Sequence, residues 1–337
     1  MVKRFMVWTY WEGEPPLVHE GPTESIYGIE GYFMQEVEKG NTSFSASHPD
    51  EAHVFFLPIS VSNIVSRLYR PLVTYARDLL VTTVNNYTHL ISHKHPFWNR
   101  TNGADHLLLS CHDWAPDISK ENPDKQLYKN IIRALCNANK SEQFNPSKDV
   151  SIPEINLRAS ESSHPRQGQH PENRSVLAFF AGGIHGSIRE TLIQTWKGKD
   201  KQLQVYEQLP PNLNYLEMME RSKFCLCPSG FEVASPRTVE AIYAGCVPVI
   251  IADAYEPPFS DVLDWSKFSL RIPSEKIWEL KKVLQSVEEG KYLRMQRRVI
   301  QVQRHFEVNR PAKAYDVFHM ILHSVWLRRI NISSIRA

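Results

Sequence analysis

Apolar and polar residues fall in blocks along this chain. Short apolar runs stand at Phe5 to Tyr10, His53 to Ile59, Asp105 to Ser110 and Ile131 to Cys136. Runs this short and this apolar predict strands buried on both faces. Between the second and third, Val61 to Leu90 carries helical periodicity with one break at Pro71. Proline has no N–H to donate and its ring clashes with the preceding turn. Strands separated by helical segments predict a parallel sheet covered on both faces.

The pattern then lapses. Asn156 to Ser175 holds almost no large apolar residue and reads as an exposed linker or long surface loop. A second alternating series follows, with strands at Val176 to Phe180, Gln204 to Tyr206, Phe224 to Cys227 and Val247 to Ile251. Helices are predicted between them at Ser187 to Trp196, Tyr215 to Arg221 and Pro236 to Ala244. From Ile277 the chain reads as helical and ends on Tyr315 to Arg329. The expected organisation is a first α/β domain over 1–155, a linker over 156–175 and a second α/β domain over 176–305. A C-terminal helix in 306–337 is expected to pack back across the domains. Open α/β sheets bind ligands at the carboxyl ends of their strands, so a two-substrate enzyme with one substrate per domain is the first reading.

Composition narrows this picture. The 337 residues are 42% hydrophobic, with only 14 Gly and 22 Pro, which excludes collagen-like, low-complexity and wholly disordered chains. Lys and Arg number 39 against 37 Asp and Glu, a net charge of +2 that gives no basis for a nucleic-acid partner. No apolar run approaches the ~20 residues that span a bilayer, and no signal-peptide pattern precedes the first strand. Read literally, the chain is soluble and carries no address. Against a cytosolic home stand Asn-x-Ser/Thr sequons beginning at Asn41, Asn86, Asn99, Asn139, Asn173 and Asn331, which are acceptors only in the secretory pathway.

The five cysteines include no C-x-x-C pair, so a zinc ribbon or thioredoxin-type site has no support. Cys111 and Cys136 follow neighbouring predicted strands and could pair in an oxidising lumen. Cys225 and Cys227 lie two apart on one strand, and both are expected as buried thiols, with Cys246.

The densest chemistry lies in Ser222 to Asp253. A strand ends at Cys227, a loop carries Ser229 and Gly230, and a helix is expected to open with Ser235 as N-cap and Pro236 at the first helical position. Arg237 and Glu240 are three apart and share a helix face. Arginine bonds phosphate oxygens in pairs, and a carboxylate accepts from two neighbouring ribose hydroxyls. A nucleotide-diphosphate site and a surface Arg–Glu pair beside a capped helix both fit. The turn AGGIHGSIRE, with Gly182, Gly183, His185 and Arg189, could bring backbone N–H groups to a diphosphate. It is neither a P-loop nor G-x-G-x-x-G, and a plain tight turn also fits.

A third group flanks the predicted strand at residues 105–110. Asp105 and His106 stand at its start, with His112 and Asp113 just beyond its end. Any of them could serve as general base, bind a divalent metal, or satisfy buried backbone groups.

Longer stretches carry a resemblance. EGEPPLVHEGP, IYGIEGYF, DEAHVFFLPISV, FWNRTNGADHLLLSCHDWAP, LAFFAGGIHGSIRE, FCLCPSGFEVASPRTVEAIYAGCVPVIIAD and FHMILHSVWLRR resemble the plant exostosin-like glycosyltransferases, glycosyltransferase family 47. The resemblance covers nearly the whole sequence. It implies a GT-B fold of two Rossmann-like domains and inverting transfer of a sugar from a UDP-sugar to a glycan acceptor of the cell wall. No metal or other cofactor is expected, because basic side chains and a helix terminus would neutralise the diphosphate.

On this reading the second domain holds the donor through Gly182, Gly183, His185, Arg189, Ser229, Gly230, Ser235, Arg237 and Glu240. The first supplies the base from Asp105, His106, His112, Asp113 or, as an outsider, Glu30. The resemblance also implies the Golgi, a membrane anchor that this chain is expected to lack, and possible membership of a glycosyltransferase complex. Two other classes stay open: a metal-dependent hydrolase on the His/Asp cluster, and a catalytically silent scaffold.

Overall fold

The computed structural model describes residues 5–38, 43–69, 76–122, 124–158, 165 and 168–335. The chain divides into two compact units. The first gathers Met1–Ser162, Glu256–Val262 and Val308–Ala337, and the second comprises Ser163–Tyr255 and Leu263–Glu307.

Among the described residues the first unit carries five strands: β1 (Val7–Thr9), β2 (Val54–Leu57), β3 (His106–Ser110), β4 (Ile132–Leu135) and β5 (Val150–Ser151). They pair in chain order, all parallel. Strands β2 and β3 are buried along their whole length, as expected where helices cover both faces of a sheet. Helices Val61–Leu68 and Asp78–Lys94 connect β2 to β3. The expected break at Pro71 lies outside the described residues.

Helix Ile29–Glu38 buries nearly every side chain. Its lack of a one-sided apolar stripe is why periodicity does not announce it. The last helix runs from Val317 to Ile335, later than its sequence pattern suggests. It belongs to the first unit and packs on β4 and β5. There Phe318 meets Phe33, and Arg328 pairs with Asp261 at 2.9 Å.

The second unit holds β6 (Val176–Ala181), β7 (Leu203–Tyr206), β8 (Ser222–Pro228), β9 (Val247–Ile251) and β10 (Leu270–Arg271). Their order is β10-β9-β8-β6-β7, again all parallel. From β6 the chain goes out to the edge strand β7 and then returns to the other side of β6 as β8. The strand order therefore reverses between β6 and β8. The two-residue strands β5 and β10 carry too few residues to show any period, and nothing in the sequence foretells them.

Both units contain a disulfide. Cys111 and Cys136 are joined, with Cα atoms 4.6 Å apart, just past the ends of the adjacent strands β3 and β4. Cys225 and Cys246 are also joined, at a Cα separation of 5.8 Å. That corrects the expectation of buried thiols there. Cys225 sits on β8 and Cys246 one residue before β9, its neighbour in the sheet, and the pairing of those strands brings the two together. Cys227 alone stays a buried thiol, and burial pushes its pKa up to about 12.

Candidate functional site

The four His and Asp candidates of the first unit do not converge, because they stand at opposite ends of β3. Asp105 and His106 are at its amino end and fully buried. Asp105 Oδ1 takes the Thr101 hydroxyl at 2.6 Å and meets His106 Nδ1 at 2.9 Å, while Oδ2 takes Arg100 Nη2 at 2.8 Å. His106 Nε2 meets the Tyr10 hydroxyl at 2.8 Å, so both ring nitrogens are occupied. Burial alone would raise the Asp105 pKa, but hydrogen bonds from His106, Thr101 and Arg100 hold it near 2. The pair is a satisfied polar knot in the core. It lies at the wrong end of a parallel sheet for substrate, which corrects its candidacy as base.

Glu30 is also a tie rather than a base. It is fully buried and accepts from the Ser60 and Ser62 hydroxyls at 2.5 and 2.9 Å, and from the Ser110 hydroxyl at 3.0 Å. The N–H groups of Ser62 and Cys111 add bonds of 3.1 and 3.2 Å. Burial pushes its pKa up, and these donors pull the other way. A carboxylate has about four lone-pair sites, so five donors leave none for an incoming hydroxyl. Glu30 instead fastens the start of helix Val61–Leu68 to the carboxyl end of β3.

His112 and Asp113 stand at that carboxyl end. Their loop is clamped by the Cys111–Cys136 bridge, and Asn137 Nδ2 donates to the Asp113 carbonyl at 2.9 Å. His112 Nδ1 accepts the Trp114 N–H at 3.0 Å. An amide can donate only to an unprotonated ring nitrogen, so the neutral imidazole carries its proton on Nε2. The ring packs on Tyr27 at 4.7 Å, and burial, helped by Arg77, pushes its pKa down to about 4. His112 is thus a neutral hydrogen-bond donor at physiological pH. Asp113 behaves oppositely: burial raises its pKa, and Glu142 adds to this against a hydrogen bond from Tyr27. A half-buried carboxylate with a raised pKa is the stronger base.

In the second unit the candidates gather at the carboxyl ends of β6 and β8. Gly182 follows β6. A Cβ there would lie 2.8 Å from Arg237 Nη2, so only glycine lets the guanidinium rest against this turn. Gly186, with φ at 90°, has the Gly230 carbonyl 2.5 Å from where its Cβ would be, which locks the β6 loop to the β8 loop. Arg237 Nη2 donates to the Ala181 carbonyl at 3.2 Å, and its guanidinium lies 4.8 Å from the Phe180 ring centre. Its Nε is buried with no hydrogen-bond partner. Arg189 reaches the Pro228 carbonyl at 3.5 Å and lies beside Gly230. Glu240 Oε2 accepts from the Tyr215 hydroxyl at 3.0 Å. Ser229 is buried, and His185 meets the exposed ring of Phe231 at 5.8 Å. Gly183 lies next to His185 in the same turn.

The helix here starts one residue later than expected. It spans Arg237–Tyr243, with Pro236 as the residue before its first turn. Ser235 Oγ accepts from the Arg237 N–H and from its Nη1, each at 3.4 Å, so it caps the helix entry weakly from two residues back. At seven residues the helix contributes little dipole, so the positive charge at this edge is that of Arg237 and Arg189. Tyr27 and Tyr215 enter the two clusters from elsewhere in the chain, and sequence spacing did not single them out. Among the described residues no group of three or more His, Cys, Asp or Glu is arranged to hold a metal ion.

Comparison with known proteins identifies the family. An exostosin GT47 domain profile matches residues 1–287. A probable glycosyltransferase of Arabidopsis thaliana is 54% identical over 98% of this chain, and the chain spans 63% of that relative's length. A probable glucuronoxylan glucuronosyltransferase of the same plant is 30% identical over 86% of this chain and 64% of its own length. Among solved structures, MurG of Acinetobacter baumannii overlaps 88% of this chain at 9% identity and a TM-score of 0.36, too distant to inform the site. The profile match, spread over both sheets and both candidate clusters, establishes that the chain belongs to the exostosin family of glycosyltransferases, GT47.

Proposed function

We propose that this chain transfers a sugar from a UDP-sugar to a glycan acceptor with inversion, without a bound metal, in the Golgi lumen. The observation that carries the reading is the reversal of strand order between β6 and β8. A parallel sheet opens a crevice outside its carboxyl edge at such a reversal, and nucleotides bind there. At this reversal stand two glycine turns, Arg237 and Arg189. The first unit's sheet, in plain chain order, has no reversal among its described strands.

In the proposed reaction Asp113 takes the proton of the acceptor hydroxyl as its oxygen attacks the anomeric carbon. His112 Nε2–H orients that oxygen. The bond from the anomeric carbon to the diphosphate breaks, and UDP leaves with the electron pair. Arg237 and Arg189 stabilise the charge gained by the diphosphate. Glu240 keeps acceptor capacity for ribose hydroxyls, since Tyr215 uses only one of its lone-pair sites. The metal-hydrolase alternative loses its basis, because the His/Asp cluster is split between the two ends of β3. Two disulfides support an oxidising lumen.

The test measures UDP binding and transfer in parallel, using a panel of UDP-sugars. Arg237→Lys keeps charge but loses the planar fork, and Glu240→Gln loses the charged acceptor. Each lost charge-assisted bond is worth about 1.5–3 kcal/mol, so UDP affinity should fall about ten- to a hundredfold. Asp113→Asn should leave UDP binding intact and abolish transfer. Parental UDP affinity in both donor-side variants would end the nucleotide reading of this edge.

A further inference from the structure

Beside the edge strand β1 the first unit holds a cavity of about 260 Å3 that none of the groups above explains. Strand β1 is two positions from β3, roughly 10 Å across the sheet. Two of its walls are Trp8 and Trp11, whose ring centres lie 6.1 Å apart at 77°, forming an aromatic corner. Trp11 is 76% exposed. An indole held in water forgoes the burial that stabilises most large aromatics, which is tolerated where a ligand covers it. Facing the corner is an ion pair, His19 Nδ1 to Glu38 Oε1 at 3.0 Å, with both side chains largely sheltered. Thr9 and Ser45 also line the cavity.

This combination fits a sugar ring. A pyranose presents C–H groups on its faces, which stack on indole, and hydroxyls on its rim, which the second oxygen of the Glu38 carboxylate can accept, while His19 holds that carboxylate through Nδ1 and meets the Trp11 carbonyl through Nε2 at 3.3 Å. The cavity lies below the ~300 Å3 lower limit of typical small-molecule pockets, enough for one ring but not for a nucleotide. Glu38 lies in helix Ile29–Glu38. The Glu38 carboxylate disfavours an anionic sugar at this corner.

We infer that the Trp8–Trp11 corner is a subsite for one neutral pyranose residue of the acceptor chain, separate from the point of transfer. This rests on the glycosyl-transfer reading. The subsite would hold an extended glycan at a second position while its end reacts.

The experiment uses the whole disulfide-bonded chain and four neutral probes: xylohexaose, cellohexaose, mannohexaose and galactohexaose. Binding is followed by tryptophan emission and calorimetry, with UDP titrated in the same samples. At least one hexasaccharide should bind saturably to the parent. Trp11→Ala should weaken that binding about tenfold, the equivalent of ~1.4 kcal/mol, and leave UDP affinity unchanged. Because Trp11 is exposed, this variant should fold as the parent does. Glu38→Gln should weaken the same probe several-fold. Binding of none of the four by the parent overturns the subsite, as does parental affinity in Trp11→Ala. Loss of UDP binding by the parent itself would instead strike the transfer reading, which keeps the two failures distinct.

Discussion

His112 offers a test of the carboxyl-edge geometry that needs no substrate. Its Nδ1 accepts the Trp114 N–H at 3.0 Å, and its pKa is pushed down to about 4 from 6.5, chiefly by burial. Protonation would put a hydrogen on Nδ1, the nitrogen that already accepts the Trp114 N–H, in a buried site. The folded protein therefore resists the proton while the unfolded chain accepts it. Between the two pKa values the unfolded state binds more protons, so stability rises with pH there and falls as acid is added. For a shift of this size the loss between about pH 7 and pH 4.5 is about 2 kcal/mol.

The perturbation is His112→Asn. Asparagine places an acceptor oxygen near the Nδ1 position and does not titrate. Urea unfolding of both proteins, disulfides intact, gives the stability difference at each pH. Near neutral pH the variant should be the less stable, because it loses ring packing against Tyr27. On acidification the parent should lose ground to the variant by about 2 kcal/mol. A stability difference that stays flat across this range would mean that His112 is not held neutral, and its assignment as an Nε2–H donor would fall with it.

The other predictions concern the covalent frame and the surface. Cys111→Ala with Cys136→Ala opens a loop of 25 residues, worth about 3.5 kcal/mol by chain entropy, and urea denaturation should register a loss of that order. The double variant should also slow transfer more than it weakens UDP binding, because the bridge clamps the His112–Asp113 loop and lies outside the second unit. In a secretory host, Asn86, Asn99 and Asn173 should carry glycan because they are exposed, and Asn139 should not. Asn139 is buried, and its side chain accepts from Ser141 N–H at 3.0 Å. Mass spectrometry after enzymatic deglycosylation reads this directly, and glycan at Asn139 would contradict the burial.

What the sequence alone determined was set by neighbours along the chain. Val247 to Ile251 and Ser187 to Trp196 match their observed elements residue for residue, because a run of apolar β-branched residues or a helical period is a local property. The α/β class follows from the alternation of such runs. The glycine turn after β6 and the loop after β8 were also legible, since strand, glycine and helix stand in sequence there.

Tertiary structure decided everything that depends on which strands are neighbours. Cys225 and Cys246 pair because β8 lies beside β9. The reversal of strand order arises because β8 returns to the far side of β6, an order that no local pattern encodes. Asp105 and Asp113 look alike in sequence, eight positions apart around one strand. One lies sealed among Thr101, Arg100 and His106, and the other sits where a parallel sheet receives substrate. Burial and hydrogen-bond partners separate the two, and both are properties of folded neighbours rather than of sequence spacing.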